Sequence, residues 1–335
     1  MKDLVEFLFL AIKISLCGNN YGKRNMSKIM LGVLLALSAA ALNASIGIFS
    51  KVLLQNGLIP QDIAFFKTVC AFVILSLILI NKPLSVQKKE IINAKITSDL
   101  NWLNLLTKIA ICAFLGIFVL FFFETTAYQY GFASNVVVVL MASASVFALL
   151  FGRMLLNEKI TIAAILGTLL AIVGIFLISW SGGSNLTMLL NAIIAGSGYG
   201  VFSVLVKKFS LNGGIYLTRL FMMFGGVYLF FPYLNNRHHI DWNALIVMNV
   251  LALALLPTIL GFYCTTKALN YLTAAKVQVT ELSEPIFAVV MAWVFLHELP
   301  THQFFVGAIF IIMGIVLINQ MHQGLLSKIG KQMSK

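Results

Sequence analysis

The chain is built from long runs in which polar side chains are rare, and no acid or base interrupts 136–142 or 162–178. Apolar residues cover every face of these runs. They neither keep to one helical stripe nor alternate in strands of about ten residues, as the strands of a membrane β-barrel do. A hydrocarbon core about 30 Å thick needs roughly 20 such residues per helix. Ten stretches qualify: 29–50, 63–80, 104–123, 133–156, 160–180, 186–206, 215–234, 244–266, 274–296 and 303–320. Their connectors leave no room for a soluble domain. The longest, 81–103, carries Lys82, Lys88, Lys89 and Lys95 and reads as lying on the cytoplasmic surface. The expected fold class is an all-α integral membrane protein with ten transmembrane helices.

Composition sharpens this. Of 335 residues, 60% are hydrophobic and 10% charged, with mean hydropathy +0.98. A soluble domain carries about 25% charged residues, so this chain cannot cover a water-facing surface. The net charge of +12 would suggest nucleic acid in a soluble protein. Here the bases lie between apolar runs, which excludes nucleic acid as the partner and invokes the positive-inside rule. With the N-terminus in the cytoplasm, all Lys and Arg except Lys51, Lys67 and Arg237 fall on or near the inner side, Arg219 included. The expectation is a multi-pass protein of the cell membrane with both termini cytoplasmic. Cys17, Cys70, Cys112 and Cys264 lie far apart without a CxxC pair, giving neither a disulfide framework nor a zinc site. Residues 1–25 are apolar over 4–16 but interrupted by Glu6 and Lys13. They lack the features of a signal peptide and read as an N-terminal extension, either an interfacial helix or the product of a start upstream of Met26.

The chain repeats itself. Glu158 matches Glu298 (298 − 158 = 140), and the same offset pairs Phe147 with Phe287, Gly167 with Gly307 and Gly174 with Gly314. Upstream the offset is 141, pairing Ala127 with Ala268 and Tyr130 with Tyr271. The fronts match more weakly, with Gly47 and Ser50 against Gly200 and Ser203. The organisation expected is residues 26–182 as the first repeat, 183–321 as the second and 322–335 as a basic cytoplasmic tail. Each repeat has five spans. Five is odd, so the copies enter the membrane in opposite senses, as two inverted five-helix repeats. The charges agree. Arg153 and Lys159 mark the loop after the fourth stretch, whose counterpart after the ninth has no Lys or Arg; Lys267 and Lys276 flank the loop after the eighth, whose counterpart after the third holds only Glu124. Inverted repeats are the design of many secondary transporters, with the substrate near the midplane between the copies.

The run from Glu284-Pro285 through Trp293 to Glu298 resembles the second-repeat signature of EamA-type transporters of the drug/metabolite superfamily, and Phe147–Glu158 is its first-repeat counterpart without the proline. The resemblance covers about residues 28–320 and extends to a basic residue early in the second and seventh stretches, Lys67 and Arg219. Lys67 departs from the arginine more usual there, which removes a bidentate role at that position. The resemblance implies ten helices, a central cavity in one monomer and transport of small metabolites, often amino acids and often outward, in a bacterial inner membrane.

A charge at the bilayer centre costs about 2.5–3.5 kcal/mol on insertion scales and needs a reason. Glu281 and Glu284 lie roughly 10 and 15 Å along the ninth stretch at about 1.5 Å per residue, on one face by their i, i+3 spacing. Pro285 removes a backbone bond and kinks the helix beside them. Such a pair holds a proton reversibly or binds a substrate amine; the structural alternative is an ion pair with Lys276, Lys267 or Arg219. Lys67 and Arg219 are placed either to hold a substrate carboxylate or to snorkel to the interface, the latter favoured. Glu158 and Glu298, at helix ends, read as capping residues. Further cavity candidates are Asn43, Ser45, Tyr199, Ser203, Tyr128, Gln129, Asn135, Ser143, Tyr263 and Thr266, with Trp293 and Phe287 as apolar walls. His297-Glu298 to His302 misses HExxH by one residue, and Gly196–Gly200 follows no strand, so neither a metal centre nor a nucleotide loop is read there.

The function expected is secondary active transport of small metabolites such as amino acids, export rather than import, by a monomer or homodimer in contact with membrane lipids. No catalytic residue, metal or cofactor is expected, and coupling is to protons. The alternatives are an integral-membrane lipid-modifying enzyme and a non-transporting scaffold subunit.

Overall fold

A computed structural model describes residues 26–81, 91, 102–179, 185–236, 239–287, 290 and 302–318. The expected extension 1–25, the tail 322–335, most of the basic connector, Trp293 and Glu298 lie outside the described residues. The described residues form helices and no strand. In chain order these are α1 Met26–Asn43, α2 Ile46–Gln55, α3 Pro60–Ile78, α4 Trp102–Ala113, α5 Leu120–Tyr130, α6 Ala133–Leu156, α7 Ile162–Ser179, α8 Leu186–Lys208, α9 Ile215–Asn235, α10 Ala244–Leu253, α11 Phe262–Ala268, α12 Ala274–Glu281 and α13 His302–Ile318. Among the described residues, seven helical segments are long and apolar enough to cross a bilayer: 28–55, 60–78, 102–130, 135–156, 186–208, 215–235 and 244–268. Apolar helices over 162–174 and 305–318 are shorter.

Two segments carry wide turns. A π-helix over Phe114–Val119 joins α4 to α5, and another over Ala254–Gly261, containing Pro257, joins α10 to α11. Their starts are 140 residues apart (254 − 114 = 140), within one residue of the offset of 141 that the sequence shows in this part of the repeat. A π-turn inserts a residue into the ladder and re-aims the side chains after it.

Packing follows the glycines. A Cβ added at Gly174 would lie 2.6 Å from the Gly307 carbonyl, and one at Gly314 would lie 2.5 Å from the Gly167 carbonyl. Position numbers rise along α7 as they fall along α13, so the two helices run antiparallel at backbone contact. Likewise Phe65 of α3 stacks on Tyr233 of α9 with centroids 4.5 Å apart, while Gly226 faces Val69, another antiparallel pair. In contrast, Gly196 sits against Leu140 and Ser143 and Gly200 against Ala144 and Ala148, so α8 and α6 run parallel. Small residues permit this closeness, and in lipid close packing is the main force between helices.

One boundary differs from the pattern-based expectation. The third stretch continues through Tyr130, placing Glu124, Tyr128 and Gln129 in α5 rather than in a loop. The apolar pattern ends at Phe123, but the helix does not need apolar residues once α3 and α8 cover it. Glu124 and Tyr128 are buried, and Gln129 is exposed and does not reach the interior.

Candidate functional site

The centre of the bundle gathers the few polar side chains that the apolar runs contain. α12 ends at Glu281, and Leu282 and Ser283 form a turn closed by short-range bonds from Leu282 N to Val279 O (3.3 Å) and Ser283 N to Thr280 O (3.2 Å). Helix resumes at Glu284. Pro285 has no N–H to give to the Glu281 carbonyl, so the expected break falls one turn before the proline. It leaves Glu281 at a helix end and Glu284 at a helix start, both buried.

Glu281 is held by hydroxyls. Tyr199 of α8 donates to its Oε2 at 2.8 Å and Thr265 of α11 to its Oε1 at 2.6 Å, and the two hydroxyls lie 3.1 Å apart. One turn earlier, Gln278 Nε2 donates to the Ser203 hydroxyl at 2.8 Å, and Ser203 donates to the Tyr199 carbonyl at 3.1 Å. Tyr199 therefore has both its ring end and its backbone tied to α12. Glu284 lies within electrostatic range of Glu281 and Glu124, and Tyr128 faces both Glu124 and Glu284. Glu284 Oε2 and the Tyr128 hydroxyl are buried without a hydrogen-bond partner among the described residues.

Lys67 departs furthest from its expected place. It does not snorkel: it is 1% exposed, its Nζ lies 3.7 Å from Glu124 Oε2 and 3.9 Å from the centre of the Phe121 ring. A lysine about two turns into α3 stays inside because a carboxylate and an aromatic face meet it there. The sequence carried a signal for Glu124. The offset of 141 maps it onto Thr265 (265 − 124 = 141), and both positions reach the centre, one on Lys67 and one on Glu281.

A cavity adjoins this cluster, lined by Asn43, Lys67, Glu124, Tyr199, Thr258 and the apolar side chains around them. Its volume is about 20 Å³, room for a water molecule or two and not for a metabolite. Among the expected site residues, Asn43, Lys67 and Tyr199 line it, and Glu281 is joined to it through its hydrogen bond from Tyr199. Asn135 is fully buried in α6, while Tyr263 and Arg219 are half-buried in α11 and α9; none of these three is in the lining. Ser45, in the turn after α1, spends its hydroxyl on the Leu42 carbonyl, and Thr266 spends its own on the Phe262 carbonyl of α11.

Glu158 departs from its expected side-chain cap. Its backbone N–H closes the end of α6 on the Gly152 carbonyl at 3.2 Å, after Asn157 in left-handed conformation, and the next helix is capped by the Thr161 hydroxyl. Burial raises the Glu158 carboxyl above its ordinary range, and Lys207 and Lys276 draw it back. A raised folded-state value favours folding at low pH, and that benefit is lost as pH rises through it. Glu158→Gln is therefore expected to raise the unfolding midpoint at pH 7.5 by an amount worth under about 1 kcal/mol, with the gap closing toward pH 4, as paired unfolding curves would show.

Apolar helices at backbone contact, with a buried acidic centre among them, define a multi-pass membrane protein. The chain belongs to the EamA-like transporter family, whose pattern matches residues 30–180 and again 185–320. It is 30% identical over 189 residues to a probable terminal-alkyne amino-acid exporter of Streptantibioticus cattleyicolor, a match covering 54% of this chain and 62% of that protein. It is 21% identical over 188 residues to the uncharacterized transporter YdfC of Bacillus subtilis, covering 55% of this chain and 61% of that one. The chain thus spans about three fifths of the length of these relatives. A solved crystal structure superposes with TM-score 0.70 over 87% of this chain and 98% of its own at 14% identity, which shows the shared fold. The family and the names of these relatives support a membrane transporter rather than the enzyme alternative.

Proposed function

We propose that this protein is a proton-coupled secondary transporter that exports small metabolites, amino acids or related compounds, across a bacterial inner membrane. In this reading ten helices form two inverted five-helix copies, with both termini in the cytoplasm. α7 and α13 are equivalent helices by their glycines, and they pack antiparallel with Gly167 on Gly314 and Gly174 on Gly307. Such a reciprocal contact is what a two-fold axis lying in the membrane plane produces. The recurrence of the π-turns within one residue of the repeat offset supports it. The short apolar helices α7 and α13, with the broken stretch from Ala274, complete the ten. The lysine bias of the loops supports the orientation.

The observation that carries the reading is the break after α12, which leaves two carboxylates, Glu281 and Glu284, in the bundle centre, one satisfied by hydroxyls and one not. Glu284 carries the proton or the substrate amine, and Glu281 is positioned by Tyr199 and Thr265. Transport is measured in proteoliposomes with labelled amino acids, with and without a pH gradient. Wild type responds to the gradient. Glu284→Gln is expected to lower gradient-driven flux about tenfold to a hundredfold, the loss of one charged hydrogen-bonding group worth about 1.5–3 kcal/mol. Unchanged flux and pH response would remove the coupling role.

A further inference from the structure

The central cluster is unbalanced in a way that describes its ligand. Glu124, Glu281 and Glu284 are buried together, and the ion pair among them is Lys67 with Glu124. Glu281 is satisfied by two hydroxyls. Glu124 Oε2, Glu284 Oε2 and the Tyr128 hydroxyl make no hydrogen bond of good geometry among the described residues, although each is fully enclosed; Lys67 and Tyr128 face Glu124 without closing on Oε2. Buried polar atoms are almost always partnered, so three clustered orphans mark a place for something else. Two are carboxylate acceptors and the third is a phenol. A primary ammonium, with three N–H donors and a positive charge, answers all three. The Lys67 ammonium, 3.7 Å from Glu124, is a loose internal occupant of that place.

We propose that the Lys67–Glu124 pair is a charge clasp that a zwitterion opens. The ligand ammonium replaces Lys67 against Glu124, Glu284 and Tyr128, and the freed Lys67 takes the ligand carboxylate. The exchange leaves the charge of the centre unchanged. A ligand bearing one charge alone strands either Lys67 or Glu124 in the interior, and a single buried charge is strongly unfavourable. The cavity beside the pair, too small for a metabolite while the pair is closed, enlarges as Lys67 moves off Glu124. Its walls, Phe121, Leu140, Met141, Pro257 and Phe262, receive an apolar side chain. This inference rests on the transporter reading and adds to it a charge requirement and two residues, Glu124 and Tyr128.

The test uses the purified full chain in lipid nanodiscs. Thermal unfolding is followed with each standard amino acid. For the one giving the largest shift, it is repeated with the matched amine, lacking the carboxylate, and the matched acid, lacking the amino group. The amino acid is expected to bind at least about tenfold more tightly than either. The double variant Lys67→Met/Glu124→Leu, which removes both charges and so leaves none stranded, is expected to unfold near the wild-type midpoint and to lose the amino-acid shift. An amine or an acid binding within about twofold of the amino acid, a shift retained by the double variant, or no shift with any amino acid overturns the clasp. Flux of a singly charged solute through the wild type in proteoliposomes would leave transport standing while the zwitterion requirement falls.

Discussion

Lys67→Ala is expected to destabilise the protein by about 3–5 kcal/mol, as removal of one partner from a buried ion pair does. Lys67 is 1% exposed and Glu124 5% exposed, so bulk water does not reach in to replace the lost charge. The Phe121 face loses its cation in the same step. Glu124→Ala is expected to cost a similar amount, because it strands Lys67 instead. The double variant Lys67→Met/Glu124→Leu is expected to stay within about 1 kcal/mol of wild type, since apolar side chains of similar volume often replace a buried pair without loss. The signature is this non-additivity, read from unfolding by denaturing detergent on all four proteins in a double-mutant cycle. If the two single variants together cost only what the double costs, the pair is not coupled and the central electrostatics described above are wrong.

The second large effect lies far from any charge. Gly314→Leu is expected to cost about 3 kcal/mol or more, at or beyond the upper end for overpacking, and to reduce the yield of monodisperse protein. Its Cβ would stand 2.5 Å from the Gly167 carbonyl and 2.9 Å from the Ala171 Cβ, with the Ala171 nitrogen at 3.0 Å. Two of these three atoms are backbone, so no rotamer change relieves them; α7 and α13 must part. Gly174→Leu meets the Gly307 carbonyl at 2.6 Å and the Ile311 nitrogen at 2.9 Å and is expected to behave alike. Gly226→Ala is the control. Its nearest neighbour is the Val69 side chain at 3.8 Å, ordinary contact, and it is expected to be within about 1 kcal/mol of wild type or slightly stabilising. Size-exclusion profiles and unfolding midpoints of the three variants separate steric contact from a general intolerance of change at glycine.

These two predictions fall on different sides of what a linear reading of the chain provides. The helices were legible because lipid leaves the backbone no choice: an apolar run that cannot bond to water must bond within itself. The pairing of Gly167 and Gly174 with Gly307 and Gly314 was legible as a repeat, and the break at Glu281–Glu284 followed from the missing N–H of Pro285. Glu284, Glu281 and Tyr199 stood out because a charge or phenol in an apolar run is conspicuous. Glu124 did not, because it follows Phe121-Phe122-Phe123 at the point where the apolar pattern stops, and a helix that stops there would leave it in water. The helix continues because α3 and α8 cover it, and this is information about neighbours rather than about local composition. The same reason governs Lys67. Its own surroundings allow it to reach the interface or to turn inward, and the choice is made by a carboxylate 57 positions away (124 − 67 = 57), delivered by another helix. Periodicity and hydropathy are properties of a segment, so the chain's order announces which segments enter the membrane. The partner of each buried charge is a property of three-dimensional packing, where the cost of an unpaired charge, and not its place in the chain, sets who meets whom.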